Sequence, residues 1–170
     1  MGELTLVFEG DGLVVEALRV DHEPVSPAVG YLFSYAGRRV LISGDTAQSD
    51  NITRFAEGVD LLVHEALSPE LVGMMEATAK ELGNPIFAKI MFDVTDYHAS
   101  PREAAETARN AGVGHLLYYH VVPPIIVPGQ ETLWLNGSDE IFPNLTVGYD
   151  GVSFSLPANS TEIIQTRKGL

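Results

Sequence analysis

Residues 98–112, HASPREAAETARNAG, carry the chemistry of both ends of a helix. Ser100 and Glu103 have capping-box spacing, Pro101 takes the first helical position, alanines fill one face, and Gly112 supplies the stop. Just upstream, VDLLVHEA (59–66) is an apolar run of strand length, the kind that is covered on both faces; just downstream, VGHLLYYH (113–120) returns to strand. A capped helix between such strands restricts the chain to a mixed α/β layer, a sheet with helices packed on at least one face.

The remaining segments fit that layer. ELTLVFE (3–9) and LVVEALRV (13–20) read as strands turned at Gly10-Asp11-Gly12. YLFSY (31–35) and RRVLIS (38–43) form a second hairpin across Ala36-Gly37, after a loop with two prolines at 21–30. Short helices are expected at 49–57 and 86–92, and a longer one runs from Ser68-Pro69-Glu70 to about Leu82. Beyond a helical or irregular stretch at 129–141, residues 144–157 read as a last hairpin turning at Asp150-Gly151. Residues 1–157 are read as a single domain and 158–170 as a polar tail.

Composition narrows the chemistry. The 170 residues suffice for a single core, and a hydrophobic content of 45% argues against disorder. With no cysteine, disulfides and thiolate metal sites are excluded, leaving His, Asp and Glu as metal ligands; the absence also fits a reducing, cytoplasmic setting. The net charge of −13 repels polyanions, so nucleic acid is an unexpected partner and a small-molecule substrate the expected one. No apolar run has membrane-spanning length.

Three apolar strands end in reactive groups: Asp45 after VLISG, His64-Glu65 after LLV, and His120 after LLYY. Ligand sites of open α/β sheets lie beyond the carboxyl ends of their strands, so these side chains can share one cleft, and His98 precedes the helix cap at the same rim. Imidazoles with a carboxylate suit zinc, manganese or iron. Taken singly, Asp45 is more simply a turn cap, His64 and His120 are more simply buried histidines bonded to carbonyls, and Glu65 can be an ordinary surface charge. The recurrence at three strand ends favours a metal site. His115, at the opposite end of its strand, is read as structural.

The segments VDHEPVSPAVGYLF, GRRVLISGDT, DLLVHEAL and YHASPREAAETARNAGVGHLLYYH, in this order, resemble metallo-β-lactamase-fold hydrolases of the ribonuclease Z-like group over about residues 13–125. The resemblance implies a half of an αββα sandwich, with Asp45 as the aspartate bridging two metals and His120 as a further metal ligand. It implies that Glu65 orients His98 as a proton donor to the leaving group, with His64 in the same catalytic segment, and that His22 and Thr46 line the pocket. The implied reaction is cleavage of an ester, lactone or phosphodiester by metal-activated water.

The family's His-x-His-x-Asp-His cluster does not occur here, since the histidines stand at 22, 64, 98, 115 and 120, and VVPP follows His120 where the group carries Ser and Arg-Tyr. The chain is therefore expected to be the second half of the fold, with an open apolar sheet face covered by a second copy or another partner. A metal-free interaction module descended from the fold, or one subunit of a split enzyme, are the alternatives.

Overall fold

Asp11 and Gly12, at φ 51° and 80°, occupy the two left-handed positions of a tight hairpin joining β1 (Thr5–Gly10) to β2 (Leu13–Arg19). Ala36 and Gly37, at 48° and 77°, do the same between β3 (Val29–Tyr35) and β4 (Arg38–Ile42). In this computed structural model, which describes residues 3–167, those four strands form the antiparallel part of a seven-stranded sheet. Helix α1 (Asp50–Phe55) then crosses to β5 (Leu61–Leu67), which lies parallel to β4. A hairpin of helices, α2 (Pro69–Glu81) and α3 (Pro85–Asp93), precedes α4 (Pro101–Ala111). Strand β6 (His115–Val122) pairs parallel with β5 and with β7 (Leu145–Val147), which follows the short helices α5 (Gln130–Leu135) and α6 (Ser138–Ile141).

The capping box of α4 is fully formed: Ser100 Oγ accepts from the Glu103 N–H, and the Glu103 carboxylate accepts from the Ser100 N–H at 2.8 Å. At the other end Gly112 takes the left-handed stop at φ 61°. The alanine face buries Ala104, Ala105 and Ala108 completely, and small side chains let the helix approach the sheet closely. Beneath lie Leu32, Leu41, Leu62 and Leu116, paired in register across four strands and shielded from solvent. Trp134 closes this core, edge-on to Tyr118 at 5.1 Å, with its indole N–H donating to the Val122 carbonyl. Tyr118 in turn donates to the Pro101 carbonyl at 2.7 Å, tying β6 to the start of α4. On the opposite sheet face Phe33, Val40, Ile42, Val63 and Leu117 are only partly covered, and Tyr31 and Tyr35 are exposed.

Two expectations fail in the C-terminal quarter. The turn at Asp150-Gly151 forms, but its flanking segments do not pair: β7 joins the main sheet, whereas β8 (Val152–Ser155) pairs with β9 (Ile164–Arg167). Gly148 N–H already donates to the Tyr118 carbonyl, which holds residues 145–148 against β6 and leaves β8 to find another partner. The segment read as a polar tail from 158 thus supplies a strand, and residues 168–170 lie outside the described part. Among the described residues, no helix is long and apolar enough to cross a membrane.

Leu62 lies fully buried at the centre of this core, so Leu62→Ala should destabilise the protein by about 2–5 kcal/mol. Urea unfolding followed by the fluorescence of Trp134 measures the loss.

Candidate functional site

Because β4, β5 and β6 run parallel, their carboxyl ends open on one edge of the sheet. The first contribution comes from the turn after β4. Gly44 sits at φ 68°, where an added Cβ would come 2.4 Å from the Val29 carbonyl oxygen, so glycine is required for the chain to turn here. That turn delivers Asp45 to the solvent side, 46% exposed at its side chain. The Ser43 N–H donates to the Val63 carbonyl and the Glu65 N–H donates to Ser43 Oγ, so the turn is bound to β5 from both directions.

The second contribution is Glu65, wholly buried near the end of β5. Its Oε1 accepts three hydrogen bonds: from the Thr46 N–H at 3.1 Å, the Ala99 N–H at 3.2 Å, and the His98 ring at 3.0 Å. An ionised carboxylate only accepts, so His98 Nδ1 carries the hydrogen and the other ring nitrogen remains for a reacting group. Burial disfavours the charged form of His98, yet the hydrogen bond and charge of Glu65, with the charge of Asp45, outweigh it and hold the imidazole above its ordinary pKa of 6.5.

His120 is the third. Opposite Glu65 stands Tyr119, opposite Ala66 stands Val121, and His120 is the extra residue between them, a β-bulge with φ 45°. Bulges break the alternation of a strand and re-aim a side chain. Here Nδ1 of His120 comes within 3.4 Å of Asp45 Oδ1 and its ring lies 5.6 Å from that of His98. One donor atom each of Glu65, His98 and His120 lies within 4.8 Å of the others.

His22 joins this group and His64 does not. The His22 ring packs 5.2 Å from His98 and 5.0 Å from Tyr97, and its loop is pinned by the Asp21 N–H donating to Thr46 Oγ1. His64, expected in the catalytic segment, projects from β5 to the face opposite Glu65, as adjacent strand residues must. It is completely buried, its Nδ1 lies 2.7 Å from the Glu65 carbonyl, and burial lowers its pKa, so it is a neutral core residue. Thr46, expected as pocket lining, is also fully buried and works through its backbone N–H on Glu65. The roles of the Thr46 and Ala99 N–H groups left no mark in residue type. Nor did the bulge, although a histidine just before VVPP at a strand end was a visible oddity.

The family model of the β-lactamase superfamily domain matches residues 3–121. The chain belongs to the metallo-β-lactamase fold family. Within that family, it is 36% identical over 127 residues to ribonuclease Z from Mycobacterium bovis strain BCG Pasteur, an alignment covering 75% of this chain and 41% of the relative. A putative ribonuclease Z from Mycobacterium tuberculosis strain CDC 1551 is 35% identical, with 51% of it covered. This metallo-β-lactamase-fold chain thus spans about half the length of these relatives or less. Among solved structures, the metallo-β-lactamase fold protein YhfI from Bacillus subtilis superposes with a TM-score of 0.59 at 17% identity, over 85% of this chain and 49% of that one, and shows the shared fold.

The relatives overturn the expectation that nucleic acid is an unlikely partner and that the substrate is a small molecule: they are named as ribonucleases. Net charge sums the whole surface, whereas recognition of a phosphodiester depends on a few groups and any cations they hold.

In metal-free protein, Glu65→Gln should move the His98 titration midpoint downward, read by the imidazole C–H shifts in NMR. The raised folded pKa stabilises the fold fully below the unfolded value of 6.5, and this contribution disappears as the pH rises through the folded midpoint. The stability advantage of wild type over Glu65→Gln should therefore shrink across that interval.

Proposed function

We propose that this chain carries part of the active site of a metal-dependent hydrolase that cleaves RNA phosphodiester bonds. The observation that carries the reading is the juxtaposition of two pairs at one strand edge. The Asp45–His120 pair is solvent-facing with donors 3.4 Å apart, and the Glu65–His98 pair is hydrogen-bonded and largely buried. The curated relatives named ribonuclease Z, 35–36% identical, supply the substrate class.

The donors fit a divalent cation. Asp45 and His120 offer a carboxylate oxygen and an imidazole nitrogen, a set suited to zinc, manganese or iron. Glu65 Oε1 is already engaged by three N–H donors, which leaves only its second oxygen, Oε2, buried and without a hydrogen-bond partner among the described residues, as a potential ligand. When bound, the metal supplies a lowered pKa for attacking water and an electrophile for the phosphoryl oxygens. Protein-bound zinc usually takes three or more protein ligands, so the two from this chain need companions; the half or more of the relatives' length outside the match is the place to look for them.

This chain's own share of the chemistry is proton handling and positioning. Glu65 fixes the tautomer and orientation of His98, and a protonated His98 donates its free-nitrogen proton to the departing oxygen of the ribose. The raised pKa keeps more of His98 in that donor form near neutrality. His22 and Tyr97 pack on the same ring and limit its rotation.

Mass spectrometry of the protein purified together with the complementary metal-ligand segment should find zinc, manganese or iron, removable by a chelator and lost on Asp45→Ala. Where RNA cleavage is measured with the complementary metal-ligand segment present, His98→Ala should lower kcat by about 10²–10⁴-fold with metal content unchanged. Retained cleavage in Asp45→Ala would sink the proposal.

A further inference from the structure

A cavity of about 640 Å³ opens beside His120, lined by Leu117, Tyr119, Val121, Ile125, Val147 and Tyr149, with Glu131 and Asp150 on its wall. We propose that this cavity seats a single nucleobase of the RNA chain, next to the scissile phosphate held at Asp45 and His120. The proposal rests on the RNA-hydrolase reading above and adds the group that this site selects.

Three observations define the occupant. The volume falls in the range of small-ligand sites, and most of the wall is apolar or aromatic, which suits a flat, weakly hydrated ring. Tyr149 lines the cavity, is 42% exposed and carries the Arg167 guanidinium 4.8 Å from its ring centroid; bases stack on exposed aromatic rings and on guanidinium planes. The charged groups on the wall are carboxylates, Glu131 and Asp150. They repel a phosphate and accept hydrogen bonds from exocyclic amino groups, so the pocket is built against the backbone of RNA and for its bases.

The floor is formed by a close strand approach. At Gly148 an added Cβ would come 2.4 Å from the Tyr118 carbonyl oxygen and 3.4 Å from a Leu117 methyl, so this part of the wall is bare backbone. Tyr119 and His120, adjacent on β6, both lie on the wall of the cavity. His120 also reaches Asp45 Oδ1 at 3.4 Å through its Nδ1, so one residue serves the cavity and the phosphodiester site. The pocket is thus continuous with the phosphodiester site.

The test is an NMR titration of the full, metal-free chain with adenosine, cytidine, guanosine and uridine, using ribose 5-phosphate as the base-free control. Nucleosides should shift the Val147, Val152 and Tyr149 signals, and ribose 5-phosphate should leave them unmoved. Tyr149→Ala should weaken binding about tenfold or more, and Tyr149→Phe should restore it. Asp150→Asn and Glu131→Gln should reduce the preference for the amino-bearing bases over uridine. Absence of nucleoside shifts up to about 10 mM, well above a millimolar dissociation constant, overturns the pocket. So does unchanged nucleoside affinity in Tyr149→Ala. RNA cleavage is assayed separately: nucleoside binding without cleavage supports the pocket and counts against the hydrolase reading, whereas cleavage without nucleoside shifts overturns the pocket alone.

Discussion

One oxygen atom organises this edge of the molecule. Glu65 Oε1 accepts from the Thr46 N–H after β4, the Ala99 N–H ahead of α4, and the His98 ring. Two chain segments distant in sequence, at Thr46 and at His98-Ala99, are thereby fixed to the end of one strand. Burial of a carboxylate is costly unless it is hydrogen-bonded, and the charge-assisted bonds to Oε1, roughly twice as strong as neutral ones, offset that cost although Oε2 has no partner among the described residues. Removing this acceptor leaves the buried Thr46 N–H without a partner, since the Ala99 N–H still has the Thr46 carbonyl, and frees the imidazole at once.

The consequences spread outward from there. Thr46, held by Glu65, accepts the Asp21 N–H through its hydroxyl, and Ala47 N–H donates to the Asp21 carbonyl at 2.7 Å. Those bonds bring the loop carrying His22 against His98. The Ala99 N–H, besides bonding Glu65, donates to the Thr46 carbonyl at 2.8 Å, which joins the two loops directly. Asp45 lies between these anchored residues and the glycine turn, so its position is inherited from its neighbours.

Much of this was legible in the chain. The hairpin turns at Asp11-Gly12 and Ala36-Gly37, the capped helix after Ser100 and the apolar strand before Glu65 are set by local rules, and local rules can be read residue by residue. The placement of Asp45, Glu65 and His120 at one edge followed from strand direction. What could not be read depended on pairing between distant segments. Residues 144–155 have the alternation and turn of a hairpin, yet β7 is claimed by β6 and β8 by a strand beyond the expected end of the fold. His64 and Glu65 were inseparable in sequence; only the sheet decides that one faces the core beneath α4 and the other the cleft. The acidic composition was legible but answered a different question, because whole-surface charge says little about one small site.

The bulge at His120 gives that position an unusual mutational character. A non-glycine residue at φ 45° carries backbone strain, and a β-branched replacement there would carry more. Glycine at this position would relax the chain while discarding the imidazole, and asparagine would tolerate the same backbone with a shorter polar group. Selection for thermal stability and selection for the reactive site therefore pull this residue in opposite directions. A collection of stabilised variants ought to be enriched in replacements at 120 that have lost the chemistry of the site.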